Sequence, residues 1–231
     1  MTSSAPPSPR PVGLQIGKLR ITGAAGVALL VALVALVTWA VWAAKPSWAM
    51  LVSGGIWVAF LVYWSAQARA PTPTVKAETR RSSLKHVAWR EIGLLLLFLP
   101  LPLLNRVVLP NGPLHPFVGL GVQLLGAWFY LYAKRYLGRQ WSSSVSIKTD
   151  HQLITSGPYR RIRHPMYTGM ITMALGTAIV SARLHAFIGA ALVAVSYLIK
   201  IGIEEVWLSE HFGAAYEEWR RHSWKLLPPI Y

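Results

Sequence analysis

Six stretches of this chain, at 21–44, 47–67, 91–109, 113–132, 168–184 and 186–203, are apolar over nearly their whole length. Each comes close to the roughly 20 residues that a helix needs to cross a bilayer. In hydrocarbon the backbone must satisfy its own hydrogen bonds, and a helix does so within a single segment. The pattern therefore predicts an all-α, polytopic membrane bundle of five or six spans. The lower number is open because the third run carries Pro100, Pro102, Asn105 and Arg106, which would kink, shorten or turn it back. The fifth and sixth runs are parted only by Arg183-Leu184-His185, so they are expected to form a tight hairpin and to pack on each other. The first run is longer than the apolar stretch of a secretory signal and reads as an anchor that stays in the mature chain.

Charge orients the bundle. Of the 23 Lys and Arg residues, all but Lys45, Arg106 and Arg183 fall in the N-terminal tail, in the segments that follow the second and fourth runs, and from Lys200 onward. Basic residues in short connections stay on the cytoplasmic side, which predicts both termini there. The net charge of +15 is thus set beside the membrane, where anionic headgroups are its partner, and not along one soluble face as nucleic-acid binding would require. The basic segment 69–90 reads as lying on that surface.

Three parts follow: a flexible tail over 1–20, rich in Ser and Pro; the N-terminal spans over 21–134; and a core over 135–231. In the last part Leu208, Phe212, Tyr216 and Trp219 recur at helical spacing, and this predicts that the sixth span runs on as an amphipathic helix. Cysteine is absent, which removes disulfides and thiolate chemistry. No His-x-x-x-His or Glu-x-x-His spacing surrounds His151, His164 or Glu204, and no metal is expected. Gly119-Leu120-Gly121 lies inside an apolar run and lacks the third glycine of a dinucleotide loop.

The chemistry is concentrated in two places. Residues 157–169 read Gly-Pro-Tyr-Arg-Arg-Ile-Arg-His-Pro-Met-Tyr-Thr-Gly, and Pro165 suits the first turn of a helix, so the fifth span begins in this motif. Its dipole end, beside Arg160, Arg161 and Arg163, is a place for an anion. Tyr159 and Tyr167 offer ring faces, and His164 offers a switchable donor or acceptor. The second place is Glu204-Glu205, two of only eight acidic residues, at the end of the sixth run. Glu204 stands one turn after Lys200 and shares its face, whereas Glu205 points about 100° away. Across the hairpin the two places fall at the same level and can meet.

His151-Gln152-Leu153-Ile154, Ser156-Gly157-Pro158-Tyr159, Arg163-His164-Pro165-Met166-Tyr167-Thr168-Gly169, Glu204-Glu205 and the closing Phe212-Gly213 with Tyr216 together resemble the isoprenylcysteine carboxyl methyltransferase family and its wider phospholipid methyltransferase relatives. The resemblance implies S-adenosyl-L-methionine as cofactor, taken from the cytoplasm into a pocket between the last two spans. It implies a lipid or prenylated acceptor drawn from the bilayer, with O-methylation of a carboxylate as the leading reaction. Carried over by position, His151, Gln152, Leu153, Ile154, Tyr159, His164, Pro165, Met166, Tyr167 and Glu204 would line the cofactor pocket. Glu204 would hold the methionyl ammonium, and Lys200, where the family is expected to carry arginine, or Arg163 would fix the acceptor. Two other enzymes fit less of the pattern. A phospholipid N-methyltransferase would need a base to free the amine, for which Glu205 and His211 are at hand. A sterol-reductase-type enzyme would bind a nicotinamide dinucleotide, with Arg160, Arg161 and Arg163 on its extra phosphate.

Overall fold

A computed structural model of the protein describes residues 14–16, 19–21, 47–66, 74–110, 112–142 and 145–228. The span expected at 21–44 lies, apart from Ile21, outside the described residues. So does most of the tail expected at 1–20, of which a short antiparallel pair is described, β1 (Leu14–Ile16) with β2 (Leu19–Ile21). From residue 46 onward the chain is a separate compact unit.

Among its described residues that unit contains six α-helices: α1 (Trp48–Ala66), α2 (Arg80–Phe98), α3 (His115–Leu137), α4 (Pro165–Ser181), α5 (Leu184–Phe212) and α6 (Ala214–Arg221). Two strands, β3 (Thr74–Ala77) and β4 (Ser146–Lys148), pair antiparallel between them. Helices α3 and α5 are long and apolar enough to cross a membrane, and α1 contains a shorter apolar stretch, Trp48–Trp64. Leu51, Val58 and Val62 on α1, and Phe117, Leu125 and Trp128 on α3, stand exposed as unbroken apolar faces, which water would not tolerate and lipid would cover. The molecule is a membrane protein by these features.

Local sequence sets the helix ends. The Thr79 hydroxyl accepts from the Ser82 amide and caps α2. That helix stops at Phe98 because Leu99 precedes Pro100 and is extended, as a residue before proline must be. The third run expected at 91–109 is therefore shortened at its far end by its prolines. It is instead extended backward, since α2 takes in residues 80–90, expected to lie on the membrane surface. Helix α4 opens on Pro165, as expected, and closes on Ala182 with φ of 55°, from which the chain turns directly into α5. With 29 residues, α5 is about 44 Å long and overshoots a hydrocarbon layer of roughly 30 Å. Gly213 then breaks it, with φ of 53°, so α6 is a separate helix and not the continuation expected from the aromatic spacing.

Packing follows a glycine code. On α3 the buried positions Gly119, Gln123, Gly126, Tyr130 and Ala133 alternate four and three apart, the seam of a left-handed pair. Gly119 lies against Gly176 and Val180 of α4, and Gly126 against Gly169 and Met173; a Cβ on either would come within 2.6 Å of partner backbone. Antiparallel α2 and α5 meet in the same way at Gly93 and Gly189. The hairpin helices α4 and α5 do touch, yet each packs more closely on a helix from earlier in the chain, because the glycine seams draw them there. Helix α1 lies against α3 and α4 and is tied by side chains: Trp57 Nε1 and Ser53 Oγ donate to Thr177 Oγ1, at 2.9 and 3.3 Å. The end of the bundle holding the end of α1, the start of α2, the end of α3, the start of α4 and the later turns of α5 carries the site.

Candidate active site

At that end a cavity of about 380 Å³ opens, within the range of small-molecule sites. Every residue expected to line a cofactor pocket, apart from Pro165, borders it: His151, Gln152, Leu153, Ile154, Tyr159, His164, Met166, Tyr167 and Glu204. Pro165 is buried just behind, starting α4. Lys200 and Arg163 border it as well.

The two expected places do meet. The Tyr167 hydroxyl donates to Glu204 Oε1 at 2.5 Å, and Lys200 Nζ approaches the same oxygen at 3.9 Å. His164 lies between the two carboxylates, its Nδ1 3.6 Å from Glu204 and its Nε2 3.4 Å from Glu205. Its ring stacks on Tyr167 with 4° between planes, and Tyr167 in turn stacks on Tyr197 at 4.8 Å, so three rings form one wall. Lys200 Nζ sits 5.1 Å above the centre of the Tyr167 ring. The neighbouring glutamates have thus divided their work: Glu204 borders the cavity and Glu205 does not.

Glu205 is a brace. Arg163 Nε donates to it at 2.8 Å, and Lys225 stands 3.7 Å away. The rest of the Arg163 guanidinium donates to the backbone oxygens of Ser223 and Arg220. Residues 161–164 and 224–225 run side by side, with the Arg163 amide on Trp224 O at 2.8 Å and the Trp224 amide on Arg161 O at 2.7 Å. The Thr168 hydroxyl donates to Leu226 O at 2.8 Å and secures the same strap. Arg163, expected at the acceptor, is therefore occupied in tying the motif to the C-terminal segment. Arg160 and Arg161 are exposed and outside the cavity. The first-turn amides of Tyr167 and Thr168 already donate to His164 O, so the start of α4 has less to offer an anion than its sequence suggested.

The loop leading to the motif closes the polar end. The Lys148 amide donates to His151 Nδ1 at 3.3 Å, which places the ring proton on Nε2. Burial, with His211 and Lys148 nearby, holds the His151 pKa below its usual value, so the ring is neutral at neutral pH. Tyr159 is buried; its desolvation and the Glu204 charge raise its phenol pKa, and it stays neutral. Its carbonyl accepts from Trp219 Nε1 on α6 at 3.0 Å.

Sequence reasoning missed the opposite wall. Trp57, Phe60, Leu61 and Trp64 from α1, Arg90 and Leu94 from α2, Tyr130 from α3 and Trp141 complete the cavity. Phe60 meets Tyr130 edge-on at 4.9 Å, and Trp64 Nε1 donates to the Tyr130 hydroxyl at 3.1 Å. For the α1 residues the signal was an aromatic excess along the second run, which reads equally as lipid contact. Among the described residues no group of three His, Asp or Glu could hold a metal ion.

Known proteins are similar to this part of the chain. Residues 114–215, which include α3, α4, the loop between them and all of α5, match the model of the phospholipid methyltransferase family. The curated similarities fall within one branch of that class. Over 117 residues the chain is 32% identical to a probable protein-S-isoprenylcysteine O-methyltransferase of Oryza sativa subsp. indica, covering 49% of this chain and 61% of that protein. It is 33% identical over 105 residues to a protein-S-isoprenylcysteine O-methyltransferase of Schizosaccharomyces pombe, with 44% of each covered, and 30% identical over 104 residues to form B from Arabidopsis thaliana, with 44% of this chain and 53% of the relative covered. The second half of the chain is thus similar to protein-S-isoprenylcysteine O-methyltransferases. The matched stretch spans less than two thirds of the length of these relatives.

Proposed function

We propose that the protein is a membrane methyltransferase that uses S-adenosylmethionine and methylates the carboxylate of an amphipathic acceptor, as the names of its relatives suggest. The observation that carries this reading is the two-faced cavity. Its polar wall, with Glu204, His164, Tyr167 and Tyr159, continues into an apolar wall made by Trp57, Phe60, Leu61 and Leu94, at helices whose outer faces suit lipid.

The polar wall fits the cofactor by its chemistry. Glu204 would hold the methionyl ammonium, Tyr159, His164 and Tyr167 offer ring faces to the adenine, and neutral His151 offers its Nε2–H as a donor. When bound, S-adenosylmethionine supplies a methyl group activated by its sulfonium. A carboxylate acceptor is ionised at neutral pH and needs no general base. The task of this chain is then to orient the acceptor, bring the reacting atoms within about 3 to 3.5 Å and keep water out. Lys200 stands beside Glu204 to steady the acceptor. An ammonium acceptor would have to lose a proton, and neither residue expected as its base, Glu205 or His211, borders the cavity.

The cavity end is also the end that carries Arg80, Arg81, Lys85, Lys134 and Arg135, whereas Arg106 and Arg183 lie at the other. This supports a multi-pass topology with the polar opening and both termini in the cytoplasm. Because the chain has no cysteine, single-cysteine variants at exposed loop positions can be labelled from either side of a sealed vesicle to test it.

Activity is tested by incubating the purified protein and membrane lipids with methyl-labelled S-adenosylmethionine and identifying the labelled product by mass spectrometry. Glu204→Gln is expected to weaken cofactor binding in calorimetry by about ten-fold or more, the worth of a charge-assisted contact. Unchanged affinity would remove that role from Glu204.

A further inference from the structure

We propose that Arg90, contributed by α2 outside the family-matched segment, grips the acceptor's carboxylate, and that Glu91 occupies the guanidinium until the acceptor displaces it. This rests on the methyltransferase reading and assigns the acceptor's headgroup within it.

Four observations lead there. Arg90 and Glu91 both border the cavity, as does Glu204. Glu204 bonds Tyr167, Tyr167 stacks on Tyr197, and Arg90 interacts electrostatically with Tyr197, so the line of contacts from the carboxylate assigned to the cofactor to this guanidinium runs through the two rings. Secondly, Lys200 already faces Glu204 at 3.9 Å and the Tyr167 ring at 5.1 Å, so part of its charge is spent on the cofactor side.

Thirdly, the Arg90 guanidinium already holds a carboxylate. Nε and one terminal nitrogen donate to a single oxygen of Glu91, at 3.1 and 2.6 Å. The Arg90 side chain is 30% exposed and that of Glu91 58% exposed, so Glu91 can swing to water while Arg90 stays at the wall. A guanidinium fork matches an incoming carboxylate in a way an ammonium does not. Finally, Leu94 is one turn further along the same face of α2, followed across the cavity by Trp57, Phe60 and Leu61. A cation above an apolar strip has the shape of an amphiphile with an anionic head and a hydrocarbon tail. An ammonium head would meet Arg90 and Lys200 as like charges.

The test compares acids with their uncharged amides. N-acetyl-S-farnesylcysteine and its carboxamide, and a long-chain fatty acid and its amide, are titrated by calorimetry into wild-type protein and into Arg90→Met, Arg90→Lys and Glu91→Gln. Wild-type protein is expected to prefer at least one acid over its amide by about ten-fold or more. Arg90→Met loses that preference, Arg90→Lys keeps part of it, and Glu91→Gln strengthens acid binding while leaving the amide unchanged. Affinity for S-adenosylmethionine is measured on each variant and stays constant, which a merely structural role for Arg90 would not ensure. A wild-type protein indifferent to the charge of both pairs, or an Arg90→Met protein that keeps the preference, overturns the proposal. Should Arg90→Met fail to fold, Glu91→Gln decides alone, since unchanged acid binding there overturns it equally. Loss of S-adenosylmethionine binding by wild-type protein would instead overturn the methyltransferase reading, and the acid-to-amide ratio would still report on Arg90.

Discussion

The helices behind the cavity are joined by shape, and the walls in front of it by polar bonds. Along α3–α4 and α2–α5, glycines let backbones come so close that no side chain fits between them. Along α1, and along the strap formed by 161–164 with the C-terminal segment, the links are hydrogen bonds and ion pairs that can break and reform. In lipid there is no hydrophobic drive between helices, so close packing has to supply the permanent joints. The polar joints are weaker one by one and border the cavity. The difference separates a glycine-packed scaffold from cavity walls held by polar bonds.

The largest effect is expected in the scaffold. Gly126→Val would place its Cβ 2.5 Å from the Met173 amide nitrogen, and neither backbone can retreat without parting α3 from α4. A loss of about 3 kcal/mol or more is expected, seen as failure to melt cooperatively in detergent. Gly121→Ala, on the same helix with nothing within 4 Å, should be neutral or stabilise by up to about 1 kcal/mol. Similar melting temperatures for the two would dissolve the distinction drawn above.

Next comes the strap. Glu205→Gln removes the charge that Arg163, His164 and Lys225 share, in a setting where the Arg163 side chain is only 9% exposed. A destabilisation of about 2 kcal/mol is expected, and proteolysis should cut the C-terminal segment sooner than in wild-type protein. If cofactor affinity falls in step with Glu204→Gln while stability holds, Glu205 is a binding residue and not a brace.

A smaller change is expected on α1. Trp57→Phe keeps the ring against Phe60 but removes the 2.9 Å bond to Thr177, at a cost of about 1 kcal/mol. Hydrogen exchange should quicken in α1 and stay unchanged in α3 and α4. Equal quickening in all three would mean that α1 is part of the rigid block.

How far the sequence could be read follows the same line. Apolar runs and Pro165 located α1, α3, α4 and α5 to within a few residues at most ends, because period, length and proline act locally. The convergence of Tyr167, His164 and Glu204 was also legible, since a short hairpin forces their levels to agree. Helix α2 was misplaced because its first half is basic and polar, and hydropathy sees only the half after Glu91. Arg90 was lost with it: a cation facing a cavity and one facing headgroups look alike in one dimension. The duties of Glu204 and Glu205 could be told apart by their 100° offset, but the role of Arg163 could not, because its partners lie some 40 and 60 residues away.

The smallest expected effect tests the loop over the polar end. His151 is half-buried and held below its ordinary pKa, first by desolvation and then by His211 and Lys148. In the unfolded chain it titrates near 6.5. Between the lowered value and 6.5 the unfolded state therefore binds more protons, and native stability rises with pH through that window and is flat with respect to this residue above it. His151→Gln removes the titration while keeping an acceptor for the Lys148 amide. The slope of melting temperature against pH from 5 to 7 should be shallower in the variant, with the two curves parallel above pH 7. Because the ring is partly hydrated, the difference should be no more than a few degrees at pH 5. A steeper slope in the variant would mean that His151 is charged in the folded protein, and the donor it offers to a bound cofactor would then be an imidazolium.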